Sequence, residues 1–269
     1  MHIDSEVHFW KYSKSLLNPF IKNNKLLQQD YLPEHLTLSF NRNKIDGCIA
    51  VVVEPAEVET RFLSELALTH PLISGVIGWI NIYDPKSVEK VREFQRYNHI
   101  RGYRIEISKD KYPSQEVMEI LTENQYSLDI SMGIETDMDS LSKWMNDWSD
   151  QHFILRDCAN PDAKKAPSKI WASTIRELAK NQNLSCKLSG LFTNGNQKSW
   201  KPADFYPFLE ILFESFGSER LLYASDWPFL LLAGIYVQWK SLLEKYFERY
   251  SLEDQKKIFG ENAVRIYRL

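Results

Sequence analysis

Asp226 ends an apolar run, Leu221-Leu222-Tyr223-Ala224-Ser225-Asp226, and Trp227-Pro228 follows at once. A strand that delivers a carboxylate into a loop turned by proline presents a general base. At the other end of the chain, Asp4-Ser5-Glu6-Val7-His8 sets Glu6 and His8 two residues apart, so in extended backbone they point the same way. Two carboxylates and an imidazole at one point would deprotonate water or hold a cation. Either chemistry requires a closed fold that brings the two ends of the sequence together.

The elements that would do so are legible. Short apolar or β-branched runs alternate with segments of helical period, the pattern of repeated βα units around a parallel sheet. Eight strands are expected, over 2–5, 48–53, 75–80, 102–107, 127–132, 153–157, 184–189 and 221–225. Apolar residues spaced by three and four predict crossover helices over 57–69, 87–97, 114–124, 139–148, 168–181 and 203–216. Pro85, Pro113 and Pro202 stand near three of the helix starts. Eight such units make a (β/α)8 TIM barrel, which typically takes about 250 residues. The 269 residues, 43% hydrophobic and 26% charged, therefore make one domain over 1–269. The connection over about 9–47 is long for a compact domain, holds Pro19 and Pro33 with a helical stretch at 34–40, and is expected to cover the mouth as a lid.

With 33 basic and 36 acidic residues and a net charge of -3, there is no basic excess for a polyanion. Nucleic acid is disfavoured and a small-molecule substrate is expected. Cys48, Cys158 and Cys186 are odd in number and scattered, and read as buried free thiols of a reducing compartment. The start lacks a basic n-region and no run approaches about 18 apolar residues, so neither export nor a membrane span is expected. A cytoplasmic location is the default, and a homodimer is left open.

In a barrel of this kind the chemistry sits at the C-terminal ends of the strands. That sorts the six histidines severely: His2, His35, His70, His99 and His152 fall at strand starts, a helix end or the long connection, and His8 alone is well placed. Other strand ends offer Glu54, Asn81, Arg104 with Glu106, Asp157, Lys187 with Ser189, and Asp226. Ionisable groups of both signs converging there would shift one another's pKa values enough to make a base.

Several blocks resemble the amidohydrolase-2 family, in particular its sugar-lactonase branch of L-fuconolactonase-like and L-rhamnonolactonase-like proteins. They are Cys186-Lys187-Leu188-Ser189-Gly190-Leu191, Phe216 to Leu221, Tyr223-Ala224-Ser225-Asp226-Trp227-Pro228 and Ile258 to Ala263 with Tyr267-Arg268-Leu269. Upstream, Asp4 with His8-Phe9-Trp10, Glu57 to Leu63, Gly75 to Trp79 and Arg101-Gly102-Tyr103-Arg104 follow the same template in the same order. The resemblance implies the barrel and lactone hydrolysis. Its departures are specific. Glu6 stands where the family's His-x-His begins, Asp157 stands at a histidine position of the strand-six motif, and Ile105 stands where histidine is frequent.

A two-metal site needs about four histidines, and counting removes it. A single ion held by Glu6, His8 and Asp226, with Asp157 as a further oxygen ligand, would suit Zn²⁺ or Mn²⁺. The alternative uses no metal: Asp226 is the base, while His8, Arg104 or Lys187 stabilises the oxyanion. Glu6 is a ligand, a carboxylate that holds the base's pKa up, or a salt-bridge partner of Arg104. Asp157 replaces a ligand or pairs with Arg104 or Lys187. Trp10 and Trp227 are the candidate platform for a sugar ring, and Lys187 and Asp157 the candidate polar contacts. Three function classes stay open: a lactonase on a sugar-acid lactone, another hydrolase or decarboxylase on this scaffold, and a non-catalytic ligand-binding relative.

Overall fold

The computed structural model describes residues 1–13, 18–107, 111–133 and 136–269. Its core is eight parallel strands in sequence order, β1 (Ile3–Val7), β2 (Gly47–Val51), β3 (Ile73–Gly78), β4 (Ile100–Ile107), β5 (Ser127–Met132), β6 (Phe153–Leu155), β7 (Leu184–Leu188) and β8 (Leu221–Tyr223). All eight expected strands are present. β1 and β2 are buried at every position, as strands covered on both faces must be.

The helices follow in order: α1 (Pro19–Asn23) and α2 (Pro33–Asn43) inside the long connection, then α3 (Glu57–Thr69), α4 (Ser87–Phe94), α5 (Gln115–Glu123), α6 (Met138–Asp147), α7 (Lys169–Leu178), α8 (Leu191–Asn194), α9 (Pro202–Phe216), α10 (Tyr236–Phe247), α11 (Leu252–Lys256) and α12 (Asn262–Tyr267). Local chemistry sets their starts. The side chains of Ser114, Asp137 and Ser168 accept from Val117 N, Ser140 N and Trp171 N, capping α5, α6 and α7. Pro33 and Pro202 open α2 and α9, where a missing N–H costs nothing.

The main apolar core lies between strands and helices. A second cluster fills the inside of the barrel with Ile3, Ile49, Val51, Ile77, Ile154 and Leu222, and α12 closes the end where the strands begin with Ala263, Ile266 and Tyr267. Cys48, Cys158 and Cys186 are free and buried. Among the described residues no helix is long and apolar enough to cross a membrane.

The junction of β8 and β1 differs from the other seven. Full ladders join each consecutive pair from β1 to β8. The ring is closed instead by a single parallel bridge between Val7 and Trp227, with His8 N donating to Trp227 O at 2.7 Å and Asp226 N to Glu6 O at 3.0 Å. Side chains complete the join: Ser225 N donates to Asp4 Oδ1 at 2.9 Å and Ser5 Oγ to Tyr223 O at 2.5 Å. A bulge between Asp4 and Val7 shifts the register of β1 against β2. Asp4 thereby meets Tyr236 of α10, its Oδ2 accepting from the phenol at 2.8 Å, while Glu6 meets the groups inside the barrel.

Candidate active site

The closing junction carries the two ends of the sequence to one point. His8 Nε2 lies 3.3 Å from Asp226 Oδ1 and 3.8 Å from Glu6 Oε1. His8 Nδ1 lies 2.8 Å from the carbonyl oxygen of Val51. A carbonyl only accepts, so Nδ1 carries the proton and Nε2 of the neutral ring is a lone pair aimed at a carboxylate oxygen. Two acceptors in contact need a positive charge between them.

Burial sets which group holds the proton. It lowers the His8 pKa to about 4, with Glu6 opposing and Arg156 adding to the effect. It pushes Asp226 well up, helped by the charges of Asp157 and Glu6. Both shifts favour a single proton held between Asp226 Oδ1 and His8 Nε2, with burial raising the hold of Asp226 on it and lowering that of His8. Asp226 Oδ2 accepts from Thr193 Oγ1 at 3.4 Å, and the residue has a positive φ of 59°. For a non-glycine residue that is a strained conformation held in place by its surroundings.

Glu6 is fully buried and surrounded by cations. Arg156 Nε and Nη2 both donate to Glu6 Oε1, at 2.9 and 2.6 Å. Ser189 Oγ donates to Glu6 Oε2 at 2.9 Å, and Lys187 Nζ lies 3.8 Å from the same oxygen. Burial alone would raise the Glu6 pKa, but Arg156, Lys187 and His8 outweigh it and hold the carboxyl well below the usual carboxylate range. Glu6 therefore pairs with Arg156, and of the three alternatives for Glu6 the bridge to Arg104 is not made.

Asp157 was expected to close β6, but that strand stops at Leu155 and Asp157 opens a left-handed turn. Asp157, Cys158, Ala159 and Asn160 all have φ between 49° and 59°. Left-handed helical backbone costs about 1–2 kcal/mol per L-residue. Trp171 Nε1 pins the turn by donating to Cys158 O at 2.8 Å, and Ser189 Oγ lies 2.9 Å from Asp157 Oδ1. The turn packs on Gly190, where φ is +75° and a Cβ would come within 2.8 Å of Asp157 Cβ.

These groups surround a cavity of about 250 Å³ at the C-terminal end of the strands. His8, Asp226, Arg104, Arg156 and Asp157 stand on its wall, and Thr193, Asn194 and Asn160 add neutral polar groups. Asn18 and Phe20 of the long connection and Phe229 complete it. Arg104 Nη1 donates to Val52 O at 2.6 Å and Val53 O at 3.3 Å, and the guanidinium forms no ion pair among the described residues. Burial and the nearby Arg156 lower its pKa to about 10. Among the described residues its Nε and Nη2 have no hydrogen-bond partner and can donate to a ligand.

Three candidates lie off the wall. Lys187 is 0% exposed beneath the cavity, paired with Asp129 at 2.5 Å. Trp10 donates its Nε1–H to Gln29 O and packs on Tyr31 and Phe229. Trp227 packs on Phe9 and Tyr31. Trp10 packs behind Phe229, which itself stands on the wall. Sequence reading gave no role to Arg156, Phe20, Asn18, Thr193, Asn194 or Phe229. A signal existed for Arg156 alone, as an arginine beside the expected end of β6.

Glu6, His8 and Asp226 are the described group whose ligand atoms all fall within 4.8 Å of one another, and Asp157 does not join it. As donors to a metal the three do not fit. A carboxylate oxygen has two lone pairs: both on Glu6 Oε1 are taken by Arg156, while Oε2 accepts from Ser189 and faces the Lys187 ammonium at 3.8 Å, which repels a second cation. His8 and Asp226 remain, one short of the usual three protein ligands of a catalytic zinc.

The barrel, the site at its C-terminal rim and the sequence agree on the class. The chain belongs to the amidohydrolase family, whose profile matches residues 3–269. An L-fucono-1,5-lactonase from Burkholderia multivorans is 29% identical over 289 residues, which cover 100% of this chain and 96% of that protein. A second L-fucono-1,5-lactonase, from Burkholderia ambifaria, is 23% identical over 99% of this chain and 95% of its own length. Among solved structures, an amidohydrolase from Burkholderia multivorans, crystallised with bound HEPES and also with bound zinc, is similar with a TM-score of 0.88 at 28% identity, covering 100% of this chain and 99% of that one. The expected hydrolase class stands with the family.

Proposed function

We propose that this chain opens the ester ring of a sugar-acid lactone, with Asp226 and His8 acting together as the base and Arg104 as the electrophilic clamp. The observation that carries the reading is the contact of two acceptors, His8 Nε2 and Asp226 Oδ1, on the wall of a cavity that also holds a guanidinium with uncommitted donors. The lactone is supported by the activity named for the two relatives. A lactone ester is already activated relative to an amide, so a positioned base and clamp suffice.

The steps follow from the atoms present. One proton rests between Asp226 Oδ1 and His8 Nε2. Water beside Asp226 Oδ2 attacks the ring carbonyl and gives its proton to Asp226 as the shared proton passes to His8, whose imidazolium faces Glu6. The carbonyl oxygen, now an anion, takes hydrogen bonds from Arg104. Collapse breaks the ring C–O bond and the dyad returns its proton to the departing ring oxygen, leaving the hydroxy acid. A base of this kind contributes about 10²–10⁴ in rate, and an oxyanion donor about 10²–10³. The ion that fits poorly takes no part.

Asp157, Asn160 and Asn194 serve the ring hydroxyls, and Phe20 and Phe229 its C–H face. The stretch carrying Asn18 and Phe20 acts as the lid. A volume of about 250 Å³ lies just under the roughly 300–1,000 Å³ of drug-sized ligand sites and admits one sugar ring. The test is a panel of aldono-1,4- and aldono-1,5-lactones, with acid release followed by a pH indicator. Turnover of at least one above the buffer rate is expected. Binding of lactones without turnover of any would overturn the reading and favour a non-catalytic ligand-binding protein.

A further inference from the structure

The convergence of Glu6, His8 and Asp226 is the geometry of a cation site, and a cation already stands at it. Arg156 places two N–H groups on Glu6 Oε1, at 2.9 and 2.6 Å. Its Nη1 donates to Ser131 Oγ at 3.3 Å and its Nη2 lies 3.5 Å from Asp157 Oδ2. The side chain is thus held from three directions, and the residue is only 6% exposed. To step aside for an ion it would have to give up its bonds to Glu6 and Ser131 and remain a buried guanidinium short of partners, a state that costs several kcal/mol. An ion entering from the cavity would meet two like charges, Arg104 and Arg156, on the same wall.

The chain's departure from the family's opening pattern then acquires a physical sense. A histidine at position 6 would offer a neutral nitrogen to a metal, with nothing to attract an arginine. Glu6 offers a negative charge, and the guanidinium that answers it comes from the end of β6. We propose that Arg156 is the resident cation of this centre: it saturates Glu6, keeps divalent ions out of the Glu6–His8–Asp226 cluster, and fixes Glu6 beside His8. Arg156 is in this sense a positioning residue, acting on His8 through Glu6. The inference concerns the same site as the proposed lactone chemistry but does not depend on the substrate, because its readout is ion binding.

The full chain, freed of metal by dialysis against a chelator, is titrated with zinc chloride in competition with a chromogenic chelator. Wild type is expected to take up zinc only weakly. Arg156→Met frees both lone pairs of Glu6 Oε1 and removes a like charge from the centre, so it is expected to bind one zinc per chain more than about 10-fold more tightly. Arg156→Met combined with Glu6→Gln removes the anion and should lose the gain. Circular dichroism with and without zinc accompanies each titration, and zinc-dependent folding of Arg156→Met counts as the expected gain. If that variant folds under neither condition, Arg156→Gln takes its place with the same expectation. Stoichiometric, tight zinc uptake by wild type overturns the proposal, as does a folded Arg156 variant with no gain.

Discussion

Asp226→Asn is the sharpest perturbation of the proposed chemistry, because the structure says what the introduced amide would do. Its NH₂ group, turned toward His8, would donate to Nε2 across the 3.3 Å contact, as the protonated carboxyl does. Its carbonyl would keep the acceptor that faces Thr193 Oγ1 at 3.4 Å. Backbone, packing and the resting hydrogen bonds should survive, so melting temperature and affinity for the hydroxy-acid product should stay close to wild type. The amide cannot take a proton from water, so the loss should fall on kcat. Removing a positioned base costs about 10²–10⁴ in rate, or roughly 3–5 kcal/mol of barrier. The assay follows acid release from the best lactone of the panel at fixed pH, with product affinity measured by calorimetry. A kcat within tenfold of wild type would refute the role of Asp226, and a parallel loss of product affinity or fold would assign it to structure instead.

Gly190→Ala should cost about 2 kcal/mol or more, since φ is +75° and the new methyl would press on Asp157 Cβ; equilibrium unfolding in urea measures it, and an unchanged midpoint would contradict the packing described. Asp4→Asn tests the buried carboxyl that burial raises to about 6. A folded pKa above the unfolded one gives stability that is complete below about pH 4 and lost as the pH rises through 6, so the variant should gain on wild type by about 2–3 kcal/mol between pH 4 and 7. A difference independent of pH would show that Asp4 does not titrate there. Lys187→Met should destabilise by about 3–5 kcal/mol by leaving Asp129 unpaired inside the barrel, and Lys187→Met with Asp129→Leu should recover most of the loss in thermal denaturation; failure of the double variant to recover would mean that the pair is not the cause.

The strands were legible because parallel strands buried on both faces leave uninterrupted apolar runs, and 48–53 or 153–155 read that way without any partner in view. The meeting of Asp226 with Glu6 and His8 was legible from strand ends and two-residue spacing, although the bulge in β1 helps aim Glu6 and leaves no mark in the sequence. α10, α11 and α12 were not foreseen: they follow the last strand, so the βα rhythm that located the others had no later strand to bracket them. The wall residues were hidden for another reason. Phe20 sits in α1, Thr193 and Asn194 in α8 and Phe229 in a single 3-10 turn, pieces too short to show a period, so position in space, not pattern, gives them their place. The turn at 157–160 blunts the usual cue, because Cys158 and Ala159, between Asp157 and Asn160, do not ordinarily favour left-handed backbone. Lys187 shows the limit of reasoning from strand ends: a strand residue pointing into a barrel can belong to a layer of side chains below the cavity.

The ring of strands is weakest where its chemistry stands. Seven junctions are sealed by ladders of three or more residue pairs, while the eighth is a clasp of a few backbone and side-chain bonds among residues 4–8 and 223–227. A fluctuation that springs the clasp separates Asp226 from His8 and leaves the rest of the barrel standing. The working lifetime of this protein is then governed by one joint, and reinforcing that joint is the direct way to lengthen it.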